Sequence, residues 1–246
     1  MVEINIFQNK HDLGVAAAKK ATKLLQEAIE LKYKAYFIAA TGTSQFEFLK
    51  QLCNHQEIDW GKIEMFHLDE YIGISSDHPA SFRNYLTERI VRKVNLGRVN
   101  FIHGDVPDPI LECRRLNDLI SKINIDIAFV GIGENGHLAF NDPPADFIIK
   151  NPYIIVNLDE FCRKQQVGEG WFKSLEEVPK QAISMSINEI LRAKTIICVC
   201  PEKRKAEAVK NCLSHDSTVS PEYPASILKT HPQVYCYLDE DSASLL

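Results

Sequence analysis

Two clusters in this sequence carry residue types at spacings suited to proton transfer. The first is His67-Leu68-Asp69-Glu70-Tyr71, at the end of the apolar run 63–68. Asp69 stands where a strand would finish, with the aromatic Tyr71 nearby to lower the local polarity. A partly desolvated carboxylate is a competent general base near neutral pH. Glu70, its neighbour, reads instead as a solvated loop charge. The second cluster is DIAFVGIGENGHLAFND, residues 126–142. Here the apolar run 125–130 empties into a glycine-rich turn that presents Glu134, Asn135, His137, Asn141 and Asp142 within nine positions. A histidine oriented by an acid shuttles protons at physiological pH. In isolation, His137 fits a satisfied core histidine equally well.

Two further segments have the chemistry of anion binding. Thr41-Gly42-Thr43-Ser44 lies between an apolar run and a helical pattern. Hydroxyls and a glycine at a helix N-terminus offer free N–H donors and a favourable dipole to phosphate. A plain turn and helix cap would look the same, and no Gly-Lys-Ser/Thr follows, so this is not a Walker A loop. Lys203-Arg204-Lys205 opens a later helix. Most such triplets are surface charge, but one member turned back over a sheet edge would reach a phosphate there. Gly131-x-Gly133-x-x-Gly136 has the spacing of a dinucleotide fingerprint but should then open a long helix near the first βα unit. It lies mid-chain instead and runs into Asn141-Asp142-Pro143-Pro144.

The elements that would position these residues alternate. Residues 15–31 carry apolar side chains at helical spacing, 36–40 read as a strand and 45–52 as a helix. Residues 63–68 form the next strand, and a helix is expected from Pro79, as its first residue, to about 94. Strand at 99–102, helix at 109–122, strands at 125–130, 153–157 and 195–200, helix at 202–213 and strand at 233–238 complete the series. This alternation predicts one α/β domain over residues 1–246, its mostly parallel sheet covered by helices on both faces in a Rossmann-like, doubly wound arrangement. Residues 143–180, broken by Pro143, Pro144, Pro152, Gly168, Gly170 and Pro179, read either as a lid over the site or as a surface insertion.

Bulk properties exclude several classes. A net charge of −5 in 246 residues disfavours wholesale nucleic-acid binding while leaving room for a local basic pocket. No apolar run approaches the roughly 20 residues of a membrane span, and the N-terminus lacks the pattern of a signal peptide. Seven cysteines without a CxxC pair point to buried, reduced thiols of a cytoplasmic protein rather than disulfides or a zinc site.

Taken together, Thr41 to Ser44, the FHLDEYIGISSDHPASF run from Phe66 and the GIGENGHLAFND run from Gly131 resemble the glucosamine-6-phosphate deaminase (isomerase) branch of a superfamily shared with 6-phosphogluconolactonases. The resemblance implies roles for individual residues. Asp69 would move a proton between C2 and C1 of the open-chain sugar, and His137 would help open the pyranose ring. Asn135 and Asp142 would orient that histidine. Thr41, Gly42, Thr43 and Ser44 would form the phosphate loop and Lys205 would bind phosphate. Arg163 is the nearest match to a phosphate-binding lid arginine. The implied ligand is a phosphorylated amino sugar, with no metal or redox cofactor, and a homo-oligomer stays open. Two departures stand out. Asn135 replaces the family's frequent Asp, and Asp142 is one methylene shorter than the usual Glu and precedes Pro143-Pro144 rather than Pro-Gly. Galactosamine 6-phosphate as the substrate, lactone hydrolysis and a sugar-phosphate-binding regulator without turnover remain alternatives.

Overall fold

The computed structural model describes residues 2–246. Its strands are β1 (Val2–Phe7), β2 (Ala35–Ala39), β3 (Ile63–His67), β4 (Asp69–Tyr71), β5 (Arg98–Asn100), β6 (Ile127–Val130), β7 (Tyr153–Asn157), β8 (Gln181–Met185), β9 (Thr195–Cys200) and β10 (Val234–Asp239). Seven of them form one sheet in the order β1-β10-β9-β6-β2-β3-β5, and every pairing in it is parallel. The other three form a small antiparallel sheet, β4-β8-β7. The helices are α1 (Lys10–Lys32), α2 (Phe46–Cys53), α3 (Phe82–Leu86), α4 (Pro109–Ile120), α5 (Glu160–Gly168), α6 (Ile187–Leu191) and α7 (Ala206–Leu213).

Period-two alternation along the central strands builds two cores. Phe37, Ile127, Phe129, Ile197 and Val199 pack with α1 and α2 on one face. Ile38, Ala128, Val130, Ile196 and Cys198 pack with α4 and α7 on the other. Successive strand residues face opposite sides, so a sheet covered on both faces needs unbroken apolar strands, as in the fully buried Thr195–Cys200. The doubly wound α/β reading therefore holds. Helix boundaries follow local chemistry. The Asn9 side chain accepts from the amides of His11 and Asp12 to start α1, and Tyr33 ends it at φ 67°. Asp108 caps α4, with Pro109 in the first turn.

Several expectations need correction. The helix anticipated from Pro79 starts only at Phe82, because Ser81 is its cap and His78 Nδ1 takes the Ala80 amide in the preceding turn. It continues as a π-helical turn, Thr87–Val91. The sequence pattern also missed β1, β8, α5 and α6. Glu70 is not a solvated loop charge. It is wholly buried and accepts from the Tyr71, Phe82 and Arg83 amides and from Ser81 Oγ. Its carboxylate thus anchors the exposed N–H groups that open α3. All seven cysteines are free thiols and six are buried.

Candidate active site

The chain order reverses between β2 and β6. From β2 the sheet is built toward β3 and β5, and from β6 toward β9, β10 and β1. Ligands bind outside the carboxyl ends of strands at such a switch point. A cleft opens there, lined by the 41–45 loop after β2, Asp69 after β3, Gly131, Ile132, Gly133 and His137 after β6, Lys205 after β9, and Gln165, Gln166 and Glu169 from α5 and its end. The structure thus brings members of all four segments singled out in the sequence to one cleft. The Gly131–Gly136 spacing opens no helix, which removes the dinucleotide reading.

Asp69 sits in the cleft wall, 6% exposed, with its backbone held by β4 pairing to Ser184 of β8. Its Oδ1 is buried without a hydrogen-bond partner. Burial, and then the neighbouring Glu70 carboxylate, push its pKa up to about 8. Tyr71 closes this side of the cleft, its hydroxyl donating to Gln166 Oε1 at 2.7 Å. Around it Phe82, Phe140 and Phe172 form an aromatic cluster. Low polarity around Asp69 is therefore a built feature, as the Tyr71 neighbour suggested.

His137 faces the same cleft and rests on a carboxylate. Its Nδ1 lies 3.3 Å from Asp142 Oδ1, an ion-pair distance without an aligned hydrogen bond. Burial works to raise the Asp142 pKa, but His137, the Asp159 amide and the Asn135 side chain together carry it below the usual value. The short Asp142 side chain therefore still reaches the imidazole. Asn135 works differently from the role implied by resemblance. Its carbonyl oxygen accepts the His137 backbone amide at 3.0 Å, and its amide nitrogen sits 3.3 Å from both Asp142 and Asp159 carboxylates. It braces the loop and bridges two acids without touching the ring. Gly133 is required by the histidine, since a Cβ there would lie 2.2–2.3 Å from the imidazole atoms.

The opposite end of the cleft is rich in donors and charge. Gly42 adopts φ 92°, and its carbonyl accepts the Tyr85 hydroxyl at 2.9 Å. Gln45 Nε2 donates to the Val199 carbonyl at 3.2 Å, tying the loop to β9. Lys205 points inward, 2% exposed, its pKa lowered chiefly by burial. Glu202, three residues before it, holds φ 83°, a conformation rare for a side-chain-bearing residue. Its amide is fixed by the Asp239 carboxylate. This bend turns Lys205 into the cleft and sets Arg204 beside it, against Thr43 and Glu169. Arg163 is not brought to the cleft. Its guanidinium donates to the Leu175 and Val178 carbonyls and braces the segment after α5. Arg204 is the arginine at the phosphate loop, with Nη2 2.8 Å from Thr43 Oγ1.

Sequence reading missed Gln165, Gln166 and Glu169, and it named Arg204 only as a member of the Lys203-Arg204-Lys205 triplet without a role of its own. The only signal was polar spacing in the 165–171 run, which its glycines made look like an interruption. His137, Asp142 and Cys162 bring a nitrogen, an oxygen and a sulfur within 4.8 Å of one another, the one potential metal-holding group of this kind among the described residues. Its members already have partners, through the His137–Asp142 contact and the packing of Cys162, on α5, into the aromatic cluster.

Known proteins resemble this chain along most of its length. A family model described as glucosamine-6-phosphate isomerases/6-phosphogluconolactonase matches residues 8–236. A glucosamine-6-phosphate deaminase of an Exiguobacterium species is 35% identical over 93% of this chain and 87% of its own. One from Lactobacillus delbrueckii subsp. bulgaricus is 32% identical, with both chains covered in full. The solved structure of a monomeric glucosamine-6-phosphate deaminase superposes with a TM-score of 0.90 at 31% identity, covering 99% of this chain and 100% of that one. The 6-phosphogluconolactonase of Trypanosoma brucei shares the fold, with a TM-score of 0.82 at 15% identity over 100% of this chain and 99% of its own. With most of its length matched by the family model and by relatives above 30% identity, the chain belongs to the glucosamine-6-phosphate isomerase/6-phosphogluconolactonase family.

Proposed function

We propose that the protein is a hexosamine-6-phosphate deaminase that converts glucosamine 6-phosphate and water to fructose 6-phosphate and ammonia. The observation that carries this reading is the buried, unpartnered Asp69 oxygen, which shares one cleft with the His137–Asp142 pair and with an anion pocket built by the 41–44 loop and Lys205. The relatives named above are deaminases over nearly the whole chain.

In this reading the sugar phosphate docks at the 41–44 loop and Lys205, which supplies remote binding energy for orientation. His137 transfers the proton from O1 to O5 as the C1–O5 bond breaks, giving the open-chain aldehyde. Asp69 then takes the C2 proton while the C1 oxygen is protonated, leaving an enolamine between C1 and C2. Returning the same proton to C1 yields an iminium at C2. Water adds at C2 and ammonia leaves, giving the ketose. One carboxylate on one face serves both carbon protonations. Such general acid–base steps contribute roughly 10²–10⁴-fold each. In the empty cleft Asp69 holds its proton up to about pH 8, so the substrate's cationic amine must help draw it into the base form. The α5 segment, whose Gln165 and Gln166 line the cleft, serves as the lid that excludes water during these steps.

The test is ammonia release from glucosamine 6-phosphate and galactosamine 6-phosphate, run beside hydrolysis of 6-phosphogluconolactone. Ammonia from a hexosamine 6-phosphate supports the proposal and ranks the two epimers. Lactone hydrolysis without ammonia, or binding without turnover of any of the three, overturns it.

A further inference from the structure

Arg204 borders the anion end of the cleft through its contacts to Thr43 and Glu169, and four of its five N–H donors are already engaged. Its Nη1 lies 2.9 Å from Glu169 Oε1 and 2.7 Å from Glu134 Oε1, its Nη2 reaches Thr43 Oγ1 at 2.8 Å, and its Nε reaches Glu202 at 2.8 Å. Glu169, just past the end of α5, lines the cleft with its side chain only 5% exposed. It also accepts from Gln165 Nε2 at 2.8 Å and from Trp171 Nε1 at 3.0 Å. Burial works to raise the Glu169 pKa, but Lys205 and Arg204 bring it below the usual value. An anionic carboxylate therefore already occupies the field of the two cations best placed to take a phosphate.

A dianionic phosphate entering this pocket meets like charge from Glu169, held there by cations that the phosphate itself needs. Both anions cannot share Arg204 and Lys205 at close range in a water-poor cleft without a large electrostatic cost. The arrangement resolves if they alternate. Arg204 is suited to this exchange, because its planar fork accepts a carboxylate or a phosphate in the same geometry. Glu134, also paired to Arg204, lies on the same loop as His137.

We propose that Arg204 is a phosphate ligand and that Glu169 is its placeholder: the carboxylate holds Arg204 in the empty cleft, and the substrate's phosphate displaces it. The consequence is selectivity for dianions. A neutral or monoanionic sugar gains too little from Arg204 and Lys205 to replace Glu169, whereas a phosphate monoester does. The inference rests on the phosphorylated-sugar reading, but its main test, binding of inorganic phosphate, needs no turnover.

The experiment titrates inorganic phosphate calorimetrically into the full-length protein and the variants Arg204→Gln, Glu169→Gln and the double variant, with circular dichroism confirming the fold of each. Losing a charge-assisted contact weakens binding by about tenfold or more, so that is the expectation for Arg204→Gln. Glu169→Gln removes the competitor and is expected to tighten phosphate by severalfold. The double variant separates ligand from brace. If Arg204 binds phosphate, the double variant stays well weaker than Glu169→Gln. If Arg204 only neutralises Glu169, the double variant binds phosphate as tightly as Glu169→Gln, and the proposal falls. It also falls if Glu169→Gln weakens phosphate binding. Steady-state KM for glucosamine 6-phosphate should move in the same directions, with kcat changing less. A protein that turns over no hexosamine 6-phosphate would sink the functional reading, while the phosphate titration would still decide the Arg204–Glu169 exchange.

Discussion

The two ends of the cleft are prepared in opposite ways. At the Asp69 end a carboxylate is buried with an oxygen left unpartnered, so the fold holds it in a state that only a ligand relieves. At the Arg204 end four of the five N–H donors of a cation already have acceptors, so the fold holds it in a state that a ligand must break. The first arrangement costs stability and creates reactivity. The second adds stability and creates discrimination. Functional sites are drawn from locally destabilised structure, and here that holds for the chemistry but not for the binding of the anion.

Asp69→Asn should break the contrast most. Activity is expected to fall by roughly 10²–10⁴-fold in kcat, the range for loss of a general base. The same change should stabilise the fold at alkaline pH. The folded carboxyl titrates near pH 8, while in an unfolded chain it titrates near about 4. Between those values the folded state keeps a proton that the unfolded state has lost, so this group's contribution to stability falls as pH rises through the window. Thermal melts should therefore place the Asn variant above the wild type at pH 9, with the gap closing toward pH 4. The kcat/KM profile of the wild type should show an ascending limb near pH 8. A limb below pH 6 would contradict a desolvated base.

Gly133→Ala probes the same end through His137. The added Cβ would lie 2.2–2.3 Å from the imidazole, so the ring must shift. A displacement on the order of 1 Å costs about 10²-fold in rate. Kinetics with a folded variant should show that loss in kcat/KM, and an unchanged rate would remove His137 from the ring-opening step. The smallest effect is expected from Tyr85→Phe at the other end. It deletes one hydrogen bond to the Gly42 carbonyl, worth about 1 kcal/mol. KM should rise severalfold while kcat stays nearly constant.

What was legible in the sequence follows the same division. Asp69 and His137 sit directly after strands, where apolar runs and glycines announce them, and their place at the switch point follows from the alternation of elements. The phosphate loop and Lys205 were legible for the same reason. The partners that define charge were not. Glu70 is satisfied by groups 11–13 residues downstream, and Glu169 by Arg204, 35 residues away. Arg163 looked suitable because it lies in the right segment, but its direction is set by the Leu175 and Val178 carbonyls. Helix α5 lacks a clean period because its apolar residues Cys162 and Val167 pack on the aromatic cluster rather than on the main core, and the short β8 is divided, with Ala182 against that cluster and Ile183 and Met185 in the main core.

Asn135 lies between the carboxylates of Asp142 and Asp159. An aspartate in that place would set a third negative charge among them, and one of the three would have to keep its proton or move away. Positions 135, 142 and 159 therefore form a single charge site, in which the neutral amide lets two carboxylates stand close together. The amide that looked like a weakening of the site is, in these terms, the joint between a loop and the cap of the helix above it.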